Sequence, residues 1–498
     1  MASPTCILAI DQGTTSTRAM VWDSAGQDIG SAARELTQHY PQPGWVEHDP
    51  EEIWNSVAAV VPEAMARANK QASDLAAIGL TNQRETVLLW ERATGKTLTP
   101  ALVWQDRRTS DFCQDNKNDE AWLSQRTGLM LDPYFSATKI NWLLEQDPGL
   151  RTRAHSGQIA CGTIDSFLIG RLTGGTVHAT DVTNASRTLL LHLHTAAWDE
   201  ELCRYFQIPQ QMLPEVRPSA AEYGKTKGLP FLPDGVPILG VAGDQQAALF
   251  GQFGIEPGEA KCTYGTGAFF LLHTGDRPIL SKHRLLTTLA ATLGERPQYA
   301  LEGSVFVAGA AIQWLRDRLK LFTNSSDSEV LAANSDAEEP ILLVPGFVGL
   351  GAPHWAPDAR GVLFGLTLAT KPAELARAAL EGVAFQVADL VEAADRESAT
   401  PLRALRVDGG MAANSWFLQC QADLLGLPVK PSTHNEATAW GAASLAGLKA
   451  GLWSDLADWK RLAGKTNDVT PKLSPQARDQ RRARWHKAVQ AVIGYYGG

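Results

Sequence analysis

The sequence predicts an α/β protein of two large domains with an internally duplicated core, and three observations predict it. Apolar runs of strand length alternate with helical patterns, which marks α/β architecture. The 498 residues exceed what one ordinary hydrophobic core holds together. A turn rich in hydroxyls and glycine adjoins apolar runs twice, at Asp11–Arg18 and at Lys261–Gly267, about 250 residues and so half a chain apart.

The first element is a hairpin. Cys6 to Ile10 is a short apolar run and Ala19 to Trp22 resumes one, so strand, tight turn, strand is the economical reading. Gly13 permits a backbone turn that other residues resist. Backbone N–H groups and the hydroxyls of Thr14, Thr15 and Ser16 suit phosphate oxygens in such a turn. Arg18 offsets their charge, and Asp11 is placed to hold a magnesium ion through water. An ordinary polar hairpin uses the same residue types.

Residues 49 to 69 read as a helix: Asp49 caps it, Pro50 suits its first turn, and Ile53, Val57, Val61 and Met65 recur every four residues. Ala376, Leu380, Val383, Val387 and Val391 draw a second helical stripe. Strands are expected at Ala76–Leu80, Ala101–Trp104, Val236–Val241, Ser304–Val307, Ile341–Val344 and Ala404–Val407. The loops that follow include Thr81–Glu85, Gln105–Arg108, Gly243–Gln246, Gly309–Ala311 and Asp408–Gly410. Ligands gather beyond the carboxyl ends of strands in open α/β sheets, so these loops predict one polar, glycine-rich site that favours anionic ligands.

Composition narrows the partners. A net charge of −9 without a long basic stretch argues against nucleic acid. The basic cluster Arg478, Arg481, Arg482 and Arg484 reads as the solvated face of a last helix. Six scattered cysteines without a CxxC pair speak against a metal knuckle or disulfide scaffold and fit a reducing cytoplasm. No basic and apolar leader opens the sequence, and no apolar stretch approaches the about 18 residues of a membrane span. Gly95-Lys96-Thr97 and Gly464-Lys465-Thr466 lack the earlier glycine of a P-loop, having Trp90 and Trp459 there. Gly349-Leu350-Gly351 lacks the third glycine of a dinucleotide fingerprint.

Eleven segments in order resemble the glycerol kinases of the FGGY carbohydrate kinase family. They are Asp11–Ser16, Pro43–Pro50, Thr81–Thr86, Val103–Arg108, Asp132–Ser136, Thr183–Arg187, Gly243–Ala248, Thr263–Gly267, Gly309–Asp317, Gly349–Trp355 and Val407–Gly410. The resemblance implies a two-domain, actin-like ATPase fold of the ribonuclease H-like kind, with a duplicated core and an interdomain cleft. Residues 1–250 would carry the glycerol pocket and first phosphate loop, and 251–498 the adenosine pocket and second phosphate loop.

The activity it implies is ATP-dependent phosphorylation of glycerol to glycerol 3-phosphate, the first step of glycerol catabolism. By the same resemblance Arg84 and Glu85 bind glycerol hydroxyls with Gln245, Trp104 and Phe269 wall the pocket, and Tyr134 adds a hydroxyl. Asp244 is the catalytic base and shares the magnesium with Asp11. Thr14, Thr15, Ser16, Arg18 and Thr266 face the phosphates, while Gly309, Gln313, Gly410 and Asn414 face adenosine. Glycerol and ATP are the implied partners, Mg2+ the implied ion, and a homo-oligomer, dimer or tetramer, the implied assembly. Two alternatives share the nucleotide machinery: a related kinase for xylulose or another polyol, and a filament or chaperone ATPase of the actin and heat-shock type. The segment Lys227–Gly235 lacks the Gly-Gly-Thr-Arg clamp with which some bacterial relatives bind an inhibitory sugar bisphosphate, so that control is not expected.

Overall fold

The computed structural model describes residues 4–335 and 341–497. Its first sheet runs, edge to edge, Ile238–Gly243, Leu75–Asn82, Cys6–Gln12, Ser16–Asp23 and Asp28–Glu35. The first three strands are parallel and the last two antiparallel. The second sheet runs Val429–Pro431, Leu405–Asp408, Ala260–Tyr264, Ala268–Gly275, Tyr299–Val305 and Leu286–Leu289. Again three parallel strands lead into antiparallel ones. The duplication inferred from the two turns is therefore real, and each turn closes the hairpin at the centre of its own sheet.

The apolar run at the start is continuous because both faces of its strand are covered. Leu8 and Ile10 share a core with Ile53, Val57 and Val61 of the helix Pro50–Arg67. Ile7 and Ala9 share another with Trp440, Ala443 and Leu445 of the helix Ala437–Ala450. The first helix starts as expected, with the Asp49 carboxylate accepting from Glu51 N at 2.9 Å and Pro50 opening the first turn. The second helix comes from the far half of the chain and lies directly on the first sheet and on the helix Asp244–Gly251. Its approach needs glycine: a Cβ on Gly79 would run into the Ala442 carbonyl, and one on Gly441 into the Ala247 carbonyl.

A smaller four-stranded sheet, Glu47–His48, Ala101–Leu102, Val87–Glu91 and Ile159–Thr163, flanks the first one. The strand expected at Ala101–Trp104 thus ends two residues early. The strand expected at Val236–Val241 ends at Gly243, directly before Asp244. The one expected at Ser304–Val307 occupies Tyr299–Val305 instead, because Glu302 interrupts the apolar pattern yet is fully buried against two arginines. All six cysteines are buried and unpaired. Among the described residues no helix is long and apolar enough to cross a membrane.

The basic cluster of the last helix, Pro475–Tyr496, is only in part a solvated face: Arg484 is exposed, whereas Arg481 and Arg482 dock. Arg481 donates to Glu381 at 2.7 Å and Arg482 pairs with Glu392, both on the helix Pro372–Glu397. Between them Trp485 stacks on Phe385 with ring centroids 5.0 Å apart, and its Nε1 donates to Asp389 Oδ2 at 2.7 Å. His354 and His486 reach the same carboxylate at 3.3 and 3.0 Å. Burial opposes ionisation of Asp389, but these hydrogen bonds outweigh it and hold the carboxyl down at about 2.

Two outcomes follow for stability. Gly441→Ala lowers the unfolding free energy by roughly 1–3 kcal/mol, the usual cost of overpacking, whereas Gly294→Ala, whose Cβ would meet nothing within 4 Å, leaves it nearly unchanged in denaturant titrations. Asp389 has a folded pKa below its unfolded one, so its contribution is fully present above pH ~4 and is lost as pH falls through about 2. The gap in stability between the parent and Asp389→Asn is expected near 2 kcal/mol at neutral pH and shrinks through that acid window; a pH-independent gap contradicts the assignment.

Candidate active site

Three parallel strands deliver the site. Gln12 and Gly243 both pair with Asn82, so the turn after Gln12, the loop after Asn82 and Asp244 emerge side by side. The loop is sewn to the turn: Gln83 N donates to Gln12 O at 2.8 Å and Gln83 Nε2 to Gly13 O at 3.2 Å. Thr86 Oγ1 donates to Gln83 Oε1 at 2.9 Å and accepts from Trp104 N at 3.2 Å. Trp104 Nε1 in turn donates to Thr14 Oγ1 at 2.9 Å, which ties the expected pocket wall to the first phosphate turn. Gly13 has no positive φ, so its role differs from the one expected. Its N–H donates to Ser16 O at 2.9 Å, and a Cβ there would sit 3.2 Å from that same oxygen.

Arg84 and Glu85 are buried, 2% and 1% exposed, and are joined by Arg187 and Glu302, both fully buried. Arg84 and Glu85 do not chiefly pair with each other, their nearest atoms being 3.9 Å apart. Arg84 Nη1 and Nη2 donate to the two oxygens of Glu302 at 2.6 and 3.0 Å. Arg187 donates to Glu85 Oε1 at 2.6 Å and to Glu302 Oε1 at 3.0 Å. Glu85 sits at φ +61°, a left-handed position rare for a side chain of its size, and its carbonyl accepts from Ser136 Oγ at 2.9 Å. Burial alone would raise the Glu302 pKa, but Arg187 and Arg84 drive it down to about 2. Burial raises that of Glu85, and the same arginines offset only part of the rise.

Asp244 opens the helix Asp244–Gly251, and its side chain is 31% exposed. Its Oδ1 lies 3.2 Å from Arg84 Nε and accepts from Gln245 N at 2.7 Å; Oδ2 has no partner among the described residues. Half-buried aromatic rings stand near it. Trp104 meets Tyr134 at 5.6 Å and Phe269, from the second sheet, at 6.2 Å between ring centroids. The Tyr134 hydroxyl accepts from Arg84 Nη2 at 3.4 Å. Gln245 is nearly buried, with its side-chain oxygen held by Lys261.

The second turn gathers the remaining residues. Ala308 N donates to Thr266 O at 2.9 Å and Gly309 N to Gly265 O at 3.0 Å. A Cβ on Gly309 would lie 2.6 Å from that Gly265 oxygen, so glycine lets the helix Gly309–Asp317 begin against the turn. Gln313 is exposed one turn along that helix. Thr263 pairs with Asp408, which brings Gly410 beside the turn with open space where its Cβ would be. Asn414 is partly committed, since its Oδ1 caps the helix Ser415–Leu425 through Phe417 N at 2.8 Å.

Asp11 supplies the fit for a cation. Burial, opposed by Arg18 and reinforced by Asp244 and Glu436, pushes its carboxyl up to about 7. Arg18 pairs with Glu436, so the charge expected to offset phosphate is held by a carboxylate from the other half. Among the described residues, Asp389, Glu392 and His486 bring three ligand atoms together, and Arg482 already engages them.

Sequence reasoning named Arg187 and Lys261 only as members of longer segments, not as partners of the site, and missed Glu302 and Glu436 altogether. The signal for two of them was a charge inside a strand, in Tyr299–Val305 and Ala260–Tyr264, where a buried side chain must be answered by another.

The family's domains match this geometry. The FGGY carbohydrate kinase N-terminal domain matches residues 6–251 and its C-terminal domain residues 260–450. The chain belongs to the FGGY family of carbohydrate kinases. A glycerol kinase of Trichlorobacter lovleyi is 53% identical over 491 residues, which cover 98% of this chain and 99% of that protein. One from Deinococcus radiodurans is 51% identical over 484 residues, covering 97% and 96%. Among solved structures, Plasmodium falciparum glycerol kinase with ADP superposes with a TM-score of 0.92 at 36% identity, covering 99% of each chain. A xylulose kinase from Lactobacillus acidophilus shares the fold with a TM-score of 0.87 at 23% identity over 99% of each chain.

Removing one member of the buried charge cluster leaves others unanswered. Glu302→Gln is expected to lower the unfolding free energy by about 3 kcal/mol in denaturant titrations at neutral pH. A change under about 1 kcal/mol would show that the arginines find other partners.

Proposed function

We propose that this protein transfers the γ-phosphoryl group of ATP to a terminal hydroxyl of glycerol, giving glycerol 3-phosphate and ADP, as the first step of glycerol catabolism in the cytoplasm. One observation carries the reading. Asp244, with Oδ2 free among the described residues, is held at Oδ1 by Arg84, which also meets Tyr134 of the ring cluster with Trp104 and Phe269, and Trp104 in turn reaches Thr14 of the first turn. The glycerol kinases that match nearly the whole chain support the choice of substrate, and the buried, unpaired cysteines suit a reducing compartment.

In this reaction Arg84, Glu85, Tyr134 and Gln245 bind the hydroxyls of glycerol while Trp104 and Phe269 wall its carbon chain. Asp244 aims the attacking oxygen. As the bond from that oxygen to the γ-phosphorus forms and the bond to the bridging oxygen of ADP breaks, Asp244 takes the hydroxyl proton. An ordinary carboxylate is a weak base toward an alcohol, so the transfer falls late and position does most of the work. Thr14, Thr15, Ser16 and Thr266 hold phosphate oxygens, with Arg18 released from Glu436 to join them. Gly309, Gln313, Gly410 and Asn414 border adenosine. Asp11 and Asp244 would hold Mg2+, and that ion, when bound, would neutralise charge on the terminal phosphates. Closure of the cleft excludes water as a competing acceptor. The assembly is a dimer or tetramer, which light scattering after gel filtration reads directly.

Coupled ADP release tests the reading. Turnover should depend on glycerol, exceed that with D-xylulose, and fall at least about 100-fold in Asp244→Asn, while ADP affinity measured by calorimetry stays within a few-fold. Preference for D-xylulose would reassign the substrate, and full turnover in the variant would move the proton acceptor elsewhere.

A further inference from the structure

Lys261 is fully buried in the strand Ala260–Tyr264, yet among the described residues no carboxylate oxygen lies within 4.0 Å of its ammonium. A buried charge without an opposite partner is destabilising unless its donors are well used. Here they are aimed at two neutral oxygens, Gln245 Oε1 and Thr263 Oγ1, the latter at 2.9 Å. Asp408 and Asp244 sit farther off and favour the charged form against the burial that lowers its pKa.

An ammonium has donors only, so the Gln245 atom facing it is the carbonyl oxygen and the amide orientation is fixed by chemistry. The NH2 end is then the one left over, and it has no partner among the described residues. The neighbouring glutamine differs. Gln246 Oε1 accepts from Arg84 at 3.2 Å, and its Nε2 donates to Thr288 Oγ1 and Leu289 O at 3.2 Å each. Of two adjacent amides, one is consumed by the fold and one keeps a donor in reserve, a single residue past Asp244.

We propose that Lys261 is a positioning residue for phosphoryl transfer: it locks the Gln245 amide so that its NH2 donates to a hydroxyl of the polyol beside Asp244. This rests on the function proposed above. An amide held at neither end turns over between two nearly isosteric orientations, and in the wrong one it presents an acceptor where a donor is needed. Thr263 shares the ammonium, so the strand that orients Gln245 is also the one that leads into the Thr266 turn. The polyol and the second phosphate turn are thereby registered to each other across the two halves.

The test is a cycle of Lys261→Met, Lys261→Gln, Gln245→Leu and the doubles, assayed by coupled ADP release with glycerol and by ADP calorimetry. Lys261→Met should lower kcat/KM for glycerol by about 30- to 100-fold while ADP affinity changes less than about three-fold. The Met and Leu double should be within about three-fold of the worse single. Lys261→Gln, whose amide can still donate to Gln245, should recover about ten-fold of the loss. Losses that multiply in the double, or a folded Lys261→Gln as impaired as Lys261→Met, would overturn the proposal. If Lys261→Met fails to bind ADP, the cycle is read with Lys261→Gln and Gln245→Leu, and multiplying losses overturn it equally. A parent enzyme silent with glycerol would instead overturn the substrate reading.

Discussion

Glu302 meeting Arg84 and Arg187 is the contact on which the rest of the site depends. The carboxylate comes from the second sheet and the guanidinium groups from elements that flank the first. Two arginines and two glutamates, all buried, offset one another's charge and fix one another's orientation, although Arg187 Nη1 has no partner among the described residues. Arg84 cannot swing toward a surface carboxylate as an exposed arginine would. Its Nε is left pointing at Asp244, and the position of that carboxylate is inherited from a residue on the opposite half of the chain.

The same cross-half logic recurs in the backbone. The helix Ala437–Ala450 leaves the second half and packs on the first sheet at a separation that only glycine permits at Gly79 and Gly441. It also follows directly on Glu436, which holds Arg18. A movement of that helix therefore changes the charge available at the first phosphate turn. Two sheets of one topology, each with its own hairpin turn, thus become a single cleft because elements of one are built into the other.

Much of this was legible in the sequence, for physical reasons that differ from residue to residue. The strand Cys6–Gln12 was plain because both its faces are covered and the run is wholly apolar from Cys6 to Ile10. The helix after Asp49 was plain because cap, proline and four-residue stripe agree. The turn residues Thr14 to Ser16 and the position of Asp244 after a strand were readable from local order. Glu302 was not, since a glutamate in a strand reads as an edge or a break unless its partners, 218 and 115 residues away, are known. The arginines of the last helix misled for the converse reason. Their periodicity resembles a wet surface, and only the acidic face of the helix Pro372–Glu397 shows that they dock.

Charge is distributed unevenly along the cleft, and that unevenness orders the proposed reaction. At the polyol end Arg84, Arg187 and Lys261 balance Glu85, Glu302 and Asp244, so a neutral alcohol enters a neutral, closed floor. At the first phosphate turn Arg18 faces both Asp11 and Glu436, and the Asp11 carboxyl is pushed up to about 7, chiefly by burial and further by the carboxylates around it. That end has no surplus positive charge before any phosphate arrives. On the function proposed above, a polyphosphate that brings a divalent cation would relieve Asp11 and free Arg18 in the same step. The offset charges beside Asp244 leave that end to the uncharged partner of the proposed reaction.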